Sequence, residues 1–219
     1  MEPIFKLEVD LVESFKRHHT TINDDMVITE MPIRFGNIDV VIIKNTVLPF
    51  SYNQVKVLSK PAAALLFTKI KHKRPISKKK LLVNIGLSQS TVDNTLYELM
   101  KAGLICKKEG NYYRTLDFEF PKTIITGYEA KLKDFNKAFY QAKNNKEYTD
   151  YSYLVFPINV AESIKKNKLE LLQKNGIGLI GVSETEMKIL VRAKKNENMK
   201  SHLRLLNITK AYALNPSRV

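Results

Sequence analysis

Residues 59–115 constrain this chain most, because their punctuation spells out three helices and a hairpin. Ser59 is placed to cap a first helix, and Pro61 falls in its first turn, where a missing N–H costs little. Ala63, Leu66, Phe67 and Ile70 then recur at helical spacing, until Pro75 stops the run. Ser77 caps a second, short helix carrying Leu81, Leu82 and Ile85, and Gly86 permits the turn that follows. Ser88 caps a third helix whose buried face is Val92, Leu96 and Leu99, and Gly103 closes it. Leu104–Lys108 and Tyr112–Thr115 flank Glu109-Gly110-Asn111 and read as a strand, a turn and a strand.

Charge is concentrated on this stretch. The chain of 219 residues has a net charge of +14, and residues 50–115 hold 13 lysines and arginines against 3 acids. A local excess of cations points to a polyanionic partner. With its hairpin as a wing, the stretch has the form of a winged helix-turn-helix, which would span 48–118 and bind double-stranded DNA. Its third helix is expected in the major groove, exposing Gln89, Ser90, Asp93, Asn94, Tyr97 and Lys101. Gln89 and Asn94 suit adenine edges, and Ser90 or Thr91 suits bases or phosphate. Lys71, Lys73, Arg74, Lys78, Lys79 and Lys80 suit phosphate neutralisation, and Lys107, Lys108 and Arg114 would do the same from the wing. The competing reading is a helix that packs against a partner protein.

Cys106 is the only cysteine, so an intrachain disulfide and a cysteine-built zinc site are excluded. No apolar run reaches the roughly 18 residues of a spanning helix, and Met1–Ile4 does not read as a signal peptide. Cytoplasmic residence and no membrane partner are therefore expected, with no small-molecule cofactor. His18 and His19 read as solvent-exposed or as partners of a helix C-terminus rather than as metal ligands.

The flanking sequence has a different character. Residues 4–17 read as an amphipathic helix with Phe5, Val9, Val12 and Phe15 on one face. Val27–Pro32 and Ile38–Ile43 read as strands, the first bending or lying at an edge because of Pro32. Thr123–Lys131 is a further strand, and a helix over 134–146 turns Phe135, Ala138, Phe139 and Ala142 inward. Tyr153–Phe156 is a buried strand, 160–175 a lysine-rich helix, and 177–182 and 187–193 the last strands. Residues 213–219 are expected to form a flexible tail.

Two acids stand out within these apolar strands. Buried carboxylates are costly unless they are paired or bind a cation. Asp39 and Glu129 converging from neighbouring strands would make a hard-oxygen site suited to Mg2+. Lys131 shares a strand face with Glu129, since side chains repeat with period 2. Glu186-Met187-Lys188 repeats the Glu-X-Lys spacing. Glu129 is preferred because an apolar strand precedes it and an amphipathic helix follows.

Gly36-Asn37-Ile38-Asp39-Val40-Val41, Glu129-Ala130-Lys131-Leu132, Gln141-Ala142 and 150–157 together resemble the PD-(D/E)XK nuclease superfamily. The resemblance covers about 5–45 and 120–195. It implies an α/β protein with a discontinuous restriction-endonuclease-like core, a mixed central sheet flanked by helices, over 1–47 and 119–212. The winged helix-turn-helix would be inserted into it, which accounts for the long gap between Asp39 and Glu129. It further implies that Asp39 and Glu129 hold Mg2+ (or Mn2+), with Glu13 as an additional candidate ligand. Lys131 would assist the attacking water, and Gln141 would lie nearby on the following helix. The implied activity is Mg-dependent DNA endonuclease action, in a homodimer if both strands are cut. The alternative is a catalytically inactive DNA-binding regulator or accessory protein using the same scaffold.

Overall fold

The computed structural model of the chain describes residues 5–20, 25–34, 36–44 and 48–215. The elements run α1 (Glu8–Thr20), β1 (Met26–Ile33), β2 (Gly36–Lys44), α2 (Tyr52–Leu58), α3 (Pro61–Lys69), β3 (Ile76–Ser77), α4 (Lys78–Ile85) and α5 (Gln89–Lys101). They continue with β4 (Ile105–Lys108), β5 (Asn111–Arg114), β6 (Ile124–Ala130), α6 (Phe135–Asn145), β7 (Tyr151–Pro157), α7 (Ile158–Asn175), β8 (Gly178–Val182), β9 (Met187–Val191) and α8 (Ser201–Leu214). They divide into two compact units, Met1–Asn45 with Thr123–Met199 and Thr46–Lys122 with Lys200–Val219. The expected boundary at 47/48 and the start of the chain at Met1–Ile4 lie outside the described residues.

The first unit is α/β. Its six-stranded mixed sheet has the order β1-β2-β6-β7-β8-β9. The pairs β1–β2, β2–β6 and β8–β9 are antiparallel, and β6–β7 and β7–β8 are parallel. The parallel steps need crossovers, which α6 and α7 supply. Period-2 alternation splits the apolar side chains between two layers. Val40, Ile42, Tyr128, Ala130, Val155 and Ile180 pack with Leu11 and Phe15 of α1. Leu154, Phe156, Leu179 and Val191 pack with Ala138 and Ala142 of α6 and Ala161, Ile164 and Leu172 of α7. Burying each large apolar side chain contributes about 1.5–3 kcal/mol. Pro32 is tolerated because β1 is an edge strand.

The expected stripe on α1 is corrected. Val9 is 57 % exposed, and Phe5 precedes the helix although it is buried. Phe15 is buried and Val12 packs against the core as expected, and Leu11 and Ser14 turn inward beside them. Ser14 disguises that stripe because it is polar, but its hydroxyl donates to the Ser183 carbonyl at 2.9 Å, which removes the desolvation cost. His19 is also not free in solvent: its Nε2 lies 3.7 Å from Asp25 Oδ2, and its ring stacks on Phe15.

In the second unit the expected first helix forms as α3, and a further helix, α2, precedes it. Ser51 caps α2 in a reciprocal capping box with Gln54, and Ser59 closes that helix rather than opening the next. Ser59 Oγ donates to the Lys56 carbonyl at 2.9 Å. Pro61 then opens α3 at its first position. Ser77 and Ser88 cap α4 and α5, and Gly86 takes φ 66°. Val92, Leu96 and Leu99 are buried. The β4–β5 ladder closes at Lys108↔Asn111, so Glu109 (φ 49°) and Gly110 (φ 77°) form the turn. Two successive positive φ values are what a tight hairpin requires. β3 adds a third strand on β5.

Residues 200–212, expected in the core, group with this second unit, where α8 packs on α2 and α3. Ala213 and Leu214, expected in a flexible tail, end that helix; 216–219 lie outside the described residues. Leu205, Leu206, Asn207, Ile208, Thr209, Ala211 and Tyr212 are all buried. A helix buried around most of its circumference shows no single apolar stripe, so its sequence carries no amphipathic signal. Among the described residues no helix is long and apolar enough to cross a membrane.

Candidate active site and nucleic-acid interface

The register of the first sheet brings the two strand acids together. Val40 pairs with Tyr128 across β2 and β6, and one further step along that antiparallel register sets Asp39 opposite Glu129. Directly opposed side chains leave their Cβ atoms about 4.5–5.5 Å apart. Asp39 Oδ2 accepts the Ala130 N–H at 2.8 Å, which ties it to the end of β6. Lys131, just beyond β6, is anchored by its N–H donating to the Val155 carbonyl at 3.1 Å.

The Lys131 Nζ is surrounded by acids: Glu8 Oε2 at 3.1 Å, Asp39 Oδ2 at 3.5 Å and Glu129 Oε1 at 3.6 Å. Burial works against the Lys131 ammonium, but the Asp39, Glu8 and Glu129 carboxyls outweigh it and raise its pKa above the ordinary lysine value. Glu129 is fully buried, and burial with the neighbouring Asp39 charge pushes it up to about 8. Burial raises Asp39 as well, against the Ala130 hydrogen bond and the Lys131 charge. Burial raises Glu129 further than Asp39, so in the metal-free pair the proton is favoured on Glu129. Asn145 Nδ2 on α6 donates to Glu129 Oε2 at 3.1 Å. Glu129 Oε1 has no hydrogen-bond partner among the described residues.

An orphaned carboxylate oxygen beside a second carboxylate is a donor set that fits a hard divalent cation. Glu129 and Asp39 would hold it, and Glu8 is the nearest further oxygen ligand. Among the described residues no group of three or more His, Cys, Asp or Glu side chains is assembled as a metal cage. Here Lys131 stands among the three carboxylates. A cavity of about 290 Å³ borders Asp39, and Glu8, Glu13 and Glu30 line it too. Glu13 therefore lies at the same groove, although its carboxylate pairs with Lys16 at 2.8 Å. Gln141 is on α6 one turn before Asn145, and its Oε1 is buried with no partner among the described residues.

Sequence reasoning missed Glu8 and Asn145. Glu8 opens α1 and reads only as an acid suited to a helix N-terminus. Asn145 follows Gln141 by four residues, so the two share a helix face, and that spacing was the signal available.

In the second unit, Gln89, Ser90, Asn94, Tyr97 and Lys101 are exposed on α5. The Ser88 Oγ contacts the Ser90 and Thr91 hydroxyls at 3.1 and 2.8 Å, so both are engaged in the cap. Lys71, Lys73, Arg74, Lys79 and Lys80 are exposed. Lys78 is partly neutralised by Asp93, at 2.8 Å to Oδ2. On the hairpin, Lys107 and Lys108 are exposed, with Lys107 Nζ 5.7 Å from the centre of the Tyr112 ring. Arg114 departs from expectation: it is 8 % exposed, over the Phe67 ring, with Nη1 donating to the Phe118 carbonyl at 3.3 Å. Its position at the end of β5 turns it into the unit's interior rather than outward from the wing.

The chain matches no family model, no curated protein and no solved structure in the comparisons made with it.

Proposed function

We propose that this protein is a DNA-binding, Mg2+-dependent endonuclease, hydrolysing phosphodiester bonds at Asp39, Glu129 and Lys131. The observation that carries the reading is the meeting of Asp39 and Glu129 with Lys131 within 3.6 Å, beside a buried oxygen without a hydrogen-bond partner. The order α1-β1-β2-β6-α6-β7, with β2–β6 antiparallel and β6–β7 parallel, supports a restriction-endonuclease-like core. The three capped helices and hairpin of the second unit support a winged helix-turn-helix that binds duplex DNA.

The acids bordering the groove, Glu8, Glu13, Glu30 and Asp39, would repel a phosphodiester. Asp39 and Glu129 would hold a divalent cation, which would supply the positive charge that polarises a phosphoryl oxygen. Lys131 would donate a hydrogen bond from Nζ that orients the attacking water and stabilises developing negative charge. Asn145 fixes the orientation of Glu129. In the second unit, Lys78, Lys79 and Lys80 occupy the first turn of α4, where the helix dipole disfavours cations. A phosphate there would relieve that repulsion and use the helix N-terminus.

The second reading is a nuclease-like scaffold without activity, favoured by Lys131 acting as the built-in counter-ion of all three carboxylates. Incubating the full chain with supercoiled plasmid and Mg2+ or Mn2+ separates the two. Nicking that requires Asp39 and Glu129 supports the endonuclease. Duplex binding without nicking in either metal supports the scaffold.

A further inference from the structure

The second unit contains a cavity of about 770 Å³ lined by the end of α3, the segment after β5 and the start of α8. Its volume lies in the range of small-molecule sites. Its cations are Lys69, Lys71, Arg114 and Lys200, and its one acid is Glu119. The positive groups crowd one another. Burial first, and then Arg114, Lys69 and Arg74, depress the Lys71 pKa. Burial first, and then Lys200 and Lys69, depress that of His202.

Two further features point to a missing anion. Arg114 is 8 % exposed, and its Nε has no hydrogen-bond partner among the described residues. An unpaired buried guanidinium donor is costly, since it has given up water without gaining a partner. The α8 N-cap, Lys200, makes no side-chain cap hydrogen bond, and Ser201 and His202 of its first turn line the cavity. The Leu203 amide is taken by the Lys200 carbonyl, and the Ser201 and His202 amides stand before it at the positive end of a 14-residue helix, which attracts an anion.

We propose that this cavity binds a phosphate-type anion, gripped by Arg114, Lys69, Lys71, Lys200 and the first turn of α8. The site is built by the second unit alone and does not depend on the endonuclease reading. Its ligand is either a free phosphate compound or a phosphodiester of DNA, and the chemistry of the grip is shared.

The test follows the His202 ring resonances of the full chain by NMR, without divalent metal, as pyrophosphate is added against sodium chloride of equal ionic strength. Saturable movement with pyrophosphate is the expected result. A double variant, Lys69→Glu with Lys200→Glu, weakens that response at least tenfold. Arg114→Lys weakens it too, because lysine keeps the charge but loses the fork. If the double variant is unfolded, the single Lys69→Gln variant, at an exposed position, is read instead. A parallel titration uses a short duplex with unphosphorylated ends. Movement with duplex alone assigns the anion as a DNA phosphodiester, and movement with pyrophosphate shows that a free anion suffices. No movement with either, or an unchanged response in the variants, overturns the proposal.

Discussion

Around Lys131 in the first unit three carboxylates stand within 3.1–3.6 Å of one ammonium; beside α8 in the second, Lys69, Lys71, Arg114 and Lys200 share one cavity with the single acid Glu119. The first arrangement is closed. Glu129 is buried and held by Asn145, Asp39 is half-buried and held by the Ala130 N–H, Glu8 stands at the exposed side, and Lys131 balances all three. The second is open; in it, burial first and then neighbouring cations depress the pKa values of Lys71 and His202. A preorganised acidic cluster suits chemistry on a small number of atoms. A displayed basic surface suits capture of a long polyanion. The contrast also separates costs: removing a charge from the closed cluster leaves others buried and unbalanced, whereas removing one from the open surface leaves water in its place.

The largest effect should come from Lys131→Ala. Nicking of supercoiled plasmid in Mg2+ is expected to fall by about 10²-fold or more, the scale for losing a preorganised charge at a reacting oxygen. The folded state should also lose stability in metal-free buffer, because Asp39 loses its counter-ion and Glu129 a neighbouring charge. Urea denaturation and plasmid nicking check the two together. Full cleavage by a stably folded Lys131→Ala protein would remove the distinction between the units and the proposed chemistry with it.

What the sequence carried and what it hid follow the same division between local and distant causes. Ser77, Gly86, Ser88 and Gly103 punctuate α4 and α5 because caps and left-handed turns are local demands. Asp39, Glu129 and Lys131 were legible because strand periodicity fixes the face, and an acid in an apolar strand needs a reason. That the pair meet depended on the β2–β6 register across a long intervening segment, which no local pattern encodes. Glu8 was hidden because an acid at a helix start already has a use in the helix dipole. Arg114 was hidden by its neighbours, since a cation beside Lys107 and Lys108 in a hairpin reads as surface. The α1 register failed on Ser14, whose burial is satisfied by a carbonyl from residue 183, far along the chain.

The next effect is on pH dependence, where the closed cluster should behave opposite to an ordinary surface acid. Glu129 stands at about 8 against an ordinary glutamate value of 4.5. Between these values the folded chain keeps a proton that the unfolded chain has released. Stability therefore falls as pH rises through that window. In chelator the melting temperature should drop from about pH 5 to about pH 8 and level off above, and the raised Asp39 adds in the same sense. Mg2+ competes with the proton, so its stabilisation should be larger at the alkaline end. Asn145→Ala removes a donor that favours the Glu129 anion, and so extends the falling limb to higher pH. A melting temperature that rises through this window in chelator would show Glu129 ionised and the cluster balanced in another way.

The smallest and most discriminating effect lies within the open surface. Lys78, Lys79 and Lys80 are consecutive in α4, but among the described residues only Lys78 has an acidic partner, Asp93, with Oδ2 at 2.8 Å. A lysine that neutralises a phosphate contributes about 0.9 to the slope of log affinity against log salt. Lys79→Ala should lower that slope by about this amount. Lys78→Ala should lower it less, since that ammonium has to leave Asp93 before it serves a phosphate. The exposed pair is worth only about 0.2–1 kcal/mol, so the difference is modest and needs fluorescence anisotropy over a full salt series. Asp93→Asn should then bring Lys78 level with Lys79 and tighten duplex binding. Equal slopes for Lys78→Ala and Lys79→Ala with Asp93 in place would mean that DNA displaces Asp93 at no measurable cost, and that the second unit shows all of its charge.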